Sequence, residues 1–250
     1  MESKSAAELR TASRINNAIL LELLGLAAPA RLQDGLKAIQ REEGSAAVSD
    51  IRFTVDRSDP RVLALSVAAQ GCGAYCEPFT LAFVFDALSG RRVQANDLFS
   101  PQGARSVAQL LARQRVTCIK NEVARLRNLA NPESKAGKKL SDGERESHLE
   151  AAGMFEACIP QYADTAQGQN PMHLEAMQLT GTSVVFTRGR CSIHAMQALD
   201  DLGEFKNPLL IQDLSLHLSP YGRYLVAAGP AAPPPASPFG QVLFAFWITQ

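Results

Sequence analysis

"FVFDALSGRRVQANDLF", residues 83–99, places apolar Phe83, Val84 and Phe85 before Asp86, then a Ser89-Gly90 pair and a second short run ending in Asp97-Leu98-Phe99. A Ser-Gly pair between two extended runs is hairpin chemistry, because glycine supplies the left-handed backbone that a tight turn needs. The spacing predicts a strand over 79–86 and an antiparallel return over 91–95. Asp86 and Asp97 are the nearest carboxylates, and paired carboxylates are glycosidase machinery. Here their positions favour structure: an Asp before a turn accepts backbone amides, and one after Asn96, at the end of a strand, caps a short turn. The stretch therefore reads as scaffold.

Upstream, "DIRFTVDRSDPRVLALSVAAQ" (50–70) has the period of two of a β-hairpin, with Phe53 and Val55 before an Asp-Pro turn and Val62, Leu63, Leu65 and Val67 after it. Four strands then stand in sequence order. Before them, "SAAELRTASRINNAILLELLG" (5–25) predicts a helix with Leu9, Ile15, Ile19 and Leu23 on one stripe and Gly25 as its stop. A weaker helical pattern covers 30–43.

Downstream the period returns to helical from Gly103 to Ala130, along Val107, Leu110, Leu111, Val116, Ile119, Val123, Leu126 and Leu129. "NPESKAGKKLSDGE" (131–144) breaks it, and Lys135, Lys138 and Lys139 there read as a solvated basic connection. Ser141 and Glu144 have capping-box spacing for a further helix carrying Leu149, Met154 and Phe155 as far as Pro160. A polar loop follows, and strand character resumes in "HLEAMQLTGTSVVFTRGRCSIHA" (173–195) around a Gly181 turn, extending the sheet. "NPLLIQDLSLHLSPYGRYLVAAG" (207–229) reads as one short helix or turn and an extended piece over 224–227. Residues 1–228 are expected to form one domain, 229–238 a Pro-rich spacer, and 239–250 an apolar segment that either adds a strand or docks elsewhere.

With 25 Lys+Arg against 25 Asp+Glu in 250 residues, the chain has no broad positive field, which argues against nucleic acid as partner. No stretch approaches the roughly 18–20 apolar residues of a membrane helix. The longest candidate, Ala18 to Ala28, is broken by Glu22 and Gly25. "MESKSAAELR" lacks the basic-then-apolar order of a secretory signal, leaving two readings: a cytoplasmic protein, or an exported domain separated from its signal.

Catalytic signals are sparse. His148, His173, His194 and His217 have no acidic partner at ligand spacing and read as surface or core-edge residues. There is no Gly-x-Ser-x-Gly elbow, phosphate loop or dinucleotide glycine cluster, so no cofactor is expected, and no Cys/His set is spaced for a metal. Among five cysteines, Cys72 and Cys76 flank the turn "GCGAYCE" (71–77), where two thiols can meet. Cys118 and Cys158 sit at similar distances from the connection of two helices, a second candidate bridge, which would leave Cys191 over. The alternative is five small buried thiols. Gly73, Tyr75 and Glu77 in the same turn are candidate binding residues, since a loop held on a rigid scaffold is where recognition concentrates. A rigid turn without a ligand is the other reading.

The run from Phe53 to Phe99 resembles the RsiV-like extracytoplasmic domain of unknown function, a bacterial envelope family also found beside peptidoglycan deacetylase domains. A Gly-rich loop there leads into a strand ending Asp-x-x-x-Gly and then into Asp-Leu-Phe, matched here by Gly71, Gly73, Ala74, Asp86, Gly90, Asp97, Leu98 and Phe99. The Ile15-Asn16 pair, "LTGTSVVFTRGRCSIHA" and "DLSLHLSP" are compatible with the same family, and Tyr75 stands where the family often has His. The resemblance implies an α+β domain: an antiparallel sheet with helices packed on one face, including a long helical hairpin over 103–158. It further implies a periplasmic or extracytoplasmic, non-catalytic binding or sensing module whose partner is a cell-wall glycan or a lysozyme-type protein. An envelope hydrolase acting on glycan and an intracellular interaction domain with reduced cysteines are the competing expectations.

Overall fold

A computed structural model describes residues 5–26, 47–72, 76–163, 171–173 and 175–227. The expected helix over 30–43, Gly73, Tyr75 and the segments 229–238 and 239–250 lie outside the described residues.

Helix α1 (Ala6–Leu24) starts at a capping box, in which the Ser5 hydroxyl accepts from the Glu8 amide at 3.3 Å and the Glu8 carboxylate accepts from the Ser5 amide at 2.6 Å. It stops at Gly25, whose φ of 67° is the left-handed C-cap. Ile15, Ile19 and Leu23 pack on the first sheet as their spacing predicts. Leu9 does not, and is 57% exposed. One half-turn on, the Thr11 hydroxyl donates to the Leu88 carbonyl at 3.0 Å, so the buried stripe begins at Thr11 and α1 is tied there to the turn of the opening hairpin.

The first sheet is antiparallel, in the order β1 (Ala47–Ser58), β2 (Val62–Cys72), β3 (Cys76–Asp86). The Asp59-Pro60 turn joins the first two, the Asp59 carboxylate accepting from the amides of Arg61 at 2.9 Å and Val62 at 3.0 Å. Leu63, Leu65, Val67, Phe83 and Phe85 face α1, and Val62, Ala64 and Val84 face the other way.

At the end of β3 the Asp86 carboxylate accepts from the Leu88 and Ser89 amides, both at 3.0 Å, and Gly90 has φ 70°. A Cβ on Gly90 would lie 2.6 Å from the Thr11 carbonyl oxygen, so the position requires glycine for space as well as conformation. The return expected over 91–95 shrinks to one bridge between Phe85 and Arg92. The cause is Asp97, whose carboxylate accepts from the Gln94 amide at 2.8 Å and starts the short helix α2 (Ala95–Leu98), which lifts the chain off the sheet. The two acids of the opening stretch therefore hold backbone, as the scaffold reading predicts.

Helices α3 (Pro101–Ala130) and α4 (Asp142–Ala163) form the long hairpin, joined by a 3-10 turn at Gly137–Lys139. The predicted Ser141–Glu144 box caps α4, at 2.7 and 3.3 Å between amide and side chain in the two directions. The helix runs past Pro160 and ends at Ala163. The proline falls in the final turn, where a missing donor and the steric conflict interrupt little helix.

The later strands do not extend the first sheet. They build a second antiparallel sheet in the order β4 (Ala176–Leu179), β5 (Ser183–Arg188), β6 (Phe205–Leu210). Met177, Leu179, Val184 and Phe186 meet Val62, Ala64 and Val84 of the first sheet and Val107 and Leu111 of α3 in one core. "NPLL" completes β6, and the short helix expected within 207–229 is α5 (Ile211–Leu214). The extended piece expected over 224–227 is helix α6 (Pro220–Val226). Ser219 caps it by accepting from the Gly222 amide at 2.8 Å, and Pro220 at its first position is pre-set for helix. Arg57 and Arg61 donate to the carbonyls of Leu225 at 3.2 Å and Tyr224 at 3.0 Å, binding this helix to the first hairpin. The α+β class with a long helix pair is as expected; the strands are divided between two sheets.

Candidate functional site

Strand length creates the site. β2 and β3 have 11 residues each and β5 and β6 have six, so at about 3.3 Å per residue the first sheet is longer by roughly 16 Å. One end of the first sheet is therefore left uncovered by the second. On the face opposite α1, Arg52, Ala68 and Thr80 form a row across all three strands, and Gln70 pairs with Pro78 beyond it. These residues floor an open groove of about 470 Å³, walled by Asp50, Arg190, Glu204 and Lys206. One row nearer the core the floor carries Ser66, whose hydroxyl donates to Asp56 at 2.6 Å, and Gln178 of β4 donates to the same carboxylate at 2.9 Å. The second sheet thus begins where the groove ends.

The groove is polar and its carboxylates face cations. Arg52 forks onto Asp50, both bonds at 3.2 Å, and Lys206 lies 3.9 Å from Glu204. Asp50 sits at a register break in β1 with φ 49°, a left-handed conformation that non-glycine residues seldom adopt.

The wall is pinned from below. Cys158 of α4 is disulfide-bonded to Cys191, with Cα atoms 5.5 Å apart. This corrects the expected Cys118–Cys158 pair: Cys118 is a free, exposed thiol. Similar distance from a helical connection does not place two side chains on facing stripes; Cys158 belongs to the inward stripe of Ala151, Phe155 and Tyr162, and Cys118 points away. Cys76 is also disulfide-bonded, and stands opposite Cys72 in the ladder; the side chain of Cys72 lies outside the described residues. After Cys191 the wall folds around Asp200, whose carboxylate accepts from the amides of Ser192 at 3.2 Å and Gly203 at 2.9 Å.

Behind that wall lies a buried ionic network that the sequence reading missed. Arg115 of α3 forks onto Glu175 at 2.6 and 2.7 Å and donates through Nε to Asn207 of β6 at 2.8 Å. Arg188, the last residue of β5, reaches Glu175 at 3.8 Å and lies over the Tyr162 ring at 5.5 Å. The Tyr162 hydroxyl donates to the Gly189 carbonyl. Burial lowers the pKa of the Arg188 guanidinium, with Glu175 opposing, and burial raises that of the Tyr162 phenol. A signal was present: Arg115 interrupts an apolar stripe between Leu111 and Ile119, at the spacing that faces inward.

Of the expected binding residues, Glu77 is described. It is exposed at the start of β3, accepts from Gln197 at 3.4 Å, and stands one residue before Pro78 of the groove floor without lining the groove itself. Among the described residues no group of three His, Cys, Asp or Glu is placed to hold a metal, and no helix is long and apolar enough to cross a membrane.

The two antiparallel sheets and long helix pair define an α+β fold that recurs among solved structures. The chain is similar to a member of the DUF3298 family from Bacteroides fragilis, with a TM-score of 0.50 and 12% identity over 89% of this chain and 83% of that one. No protein-family profile and no curated protein matches the sequence significantly. The likeness is one of fold.

Proposed function

We propose that the chain is a non-catalytic binding or sensing module of the bacterial cell envelope, of the RsiV-like type, and that the groove between the two sheets receives a wall glycan. The observation that carries this is the groove itself: an open, polar trough of about 470 Å³ whose floor includes Ala68, Thr80 and Pro78 and in which Arg52 is paired with Asp50 and Lys206 with Glu204. Its volume lies within the range of small-molecule sites, and fixed polar groups around that floor suit a hydroxyl-rich ring. Carboxylates already matched to cations favour holding a ligand over giving it a proton. The Cys158–Cys191 disulfide supports an oxidising compartment, where such bonds persist.

Co-sedimentation with purified peptidoglycan sacculi tests the reading. The protein is expected to pellet with sacculi, and Ala68→Arg, which fills the floor at an exposed position, is expected to abolish pelleting without shifting the melting temperature. Failure to pellet, or pelleting unchanged in A68R, would refute the groove as a glycan site. Saturable binding of a soluble lysozyme that A68R blocks would assign the groove to a protein partner instead.

A further inference from the structure

The charges of the groove do not cancel. Arg52, Arg190 and Lys206 stand against Asp50 and Glu204. Two of the cations are matched, Arg52 by Asp50 and Lys206 by Glu204. Arg190 is exposed and has no hydrogen bond, ion pair or ring contact among the described residues. A solitary surface arginine on a mobile loop would mean little. This one is fixed at both neighbours: the Gly189 carbonyl before it is held by the Tyr162 hydroxyl, and Cys191 after it is bonded to Cys158 of α4. The backbone is anchored while the guanidinium is left open over the groove, which is the arrangement of a preorganised anion anchor.

We infer that the groove takes a saccharide bearing a single carboxylate, which docks on the Arg190 guanidinium. The inference rests on the groove being a glycan site, and adds the ligand's charge and the residue that reads it. One uncompensated positive charge matches one carboxylate, and the planar fork of arginine presents two parallel N–H donors to its two oxygens. The neighbouring pairs Arg52–Asp50 and Lys206–Glu204 keep their own partners, so the sugar hydroxyls meet polar groups already neutralised.

Two disaccharides that differ only at the acidic group make the test: N-acetylglucosaminyl-N-acetylmuramic acid, whose lactyl ether carries the carboxylate, and N,N′-diacetylchitobiose, which lacks it. Both are titrated calorimetrically into the intact protein and into Arg190→Gln, at low and at physiological salt. The wild type is expected to bind the acidic disaccharide at least about tenfold more tightly, as a charge-assisted fork warrants. The advantage is expected to shrink with salt and to vanish in R190Q, while the neutral disaccharide binds both proteins alike. Equal binding of the two disaccharides by the wild type would overturn the inference and leave the glycan reading standing. Binding of neither would overturn both. A preference that survives in R190Q would remove Arg190 as the anchor.

Discussion

Replacing Glu175 by Gln tests whether the buried network behind the groove holds the two sheets and the helix pair together. In the native chain Arg115 and Arg188, with side chains 1% and 9% exposed, share the Glu175 carboxylate, leaving one net positive charge buried. The amide removes the only carboxylate among those three side chains and turns an N–H donor toward at least one guanidinium, so the buried charge rises to two and a donor faces a donor. Breaking a buried pair by removing one partner costs about 3–5 kcal/mol, a large share of the roughly 5–15 kcal/mol that stabilises a typical domain. With a urea slope of about 3 kcal/mol per M, the denaturation midpoint is expected to fall by about 1–1.7 M. The double variant Arg115→Met/Glu175→Met returns the buried charge to one and is expected to be more stable than E175Q, a non-additivity that only an interacting pair produces. A midpoint within about 0.3 M of wild type in E175Q, or a double variant weaker than the single one, would refute the network as a buried, coupled unit.

Gly222→Ala places a Cβ 1.9 Å from the Leu98 carbonyl oxygen, a backbone atom that cannot move aside, so thermal denaturation is expected to show a loss of about 3 kcal/mol or more. Gly153→Ala meets nothing within 4 Å inside α4 and is expected to be neutral or to stabilise by up to about 1 kcal/mol, giving the control within the same fold. Burial works to raise the pKa of Asp86, but the Ser89 amide, the Tyr221 hydroxyl and the Leu88 amide together hold it below the usual carboxylate range. A depressed folded-state pKa gives stability that is present above the unfolded value of about 3.9 and lost as pH falls through the folded value. Asp86→Asn is therefore expected to flatten the loss of stability below about pH 4 relative to wild type, and parallel acid limbs would contradict the assignment.

Local physics made much of the scaffold legible. The capping box at Ser141 and Glu144, the Gly25 stop and the Asp59 turn are decided within four residues, and each holds in the structure. Strand composition was outweighed where a side chain caps the backbone three residues away. Residues 91–95 have strand composition, yet Asp97 takes the Gln94 amide and a short helix starts at Ala95; residues 224–227 read as extended, yet Ser219 and Pro220 start a helix whose Leu225 and Val226 reach the core. The division of the strands into two sheets was not visible, because periodicity reports which face of a strand is buried and not which strand lies beside it. The Cys158–Cys191 pair and the Arg115–Glu175 fork join residues 33 and 60 apart, separations at which sequence pattern carries no register.

These long-range links also account for where the groove lies. A sheet that outruns its neighbour exposes one end, and nothing in that mismatch alone would place charged side chains over it. The wall does so because β5 ends in Arg188, whose guanidinium is drawn inward toward Glu175 and Tyr162. Two residues further on, alternation along an extended chain would turn the next arginine to the same side as Arg188. The chain leaves the strand at Gly189, where the Tyr162 hydroxyl takes the carbonyl, and the disulfide at Cys191 holds the far side. Arg190 is thereby released from the inward pattern and lines the groove. The buried network and the open cation belong to one device: the first fixes the end of the strand, and the second is what that fixed end presents.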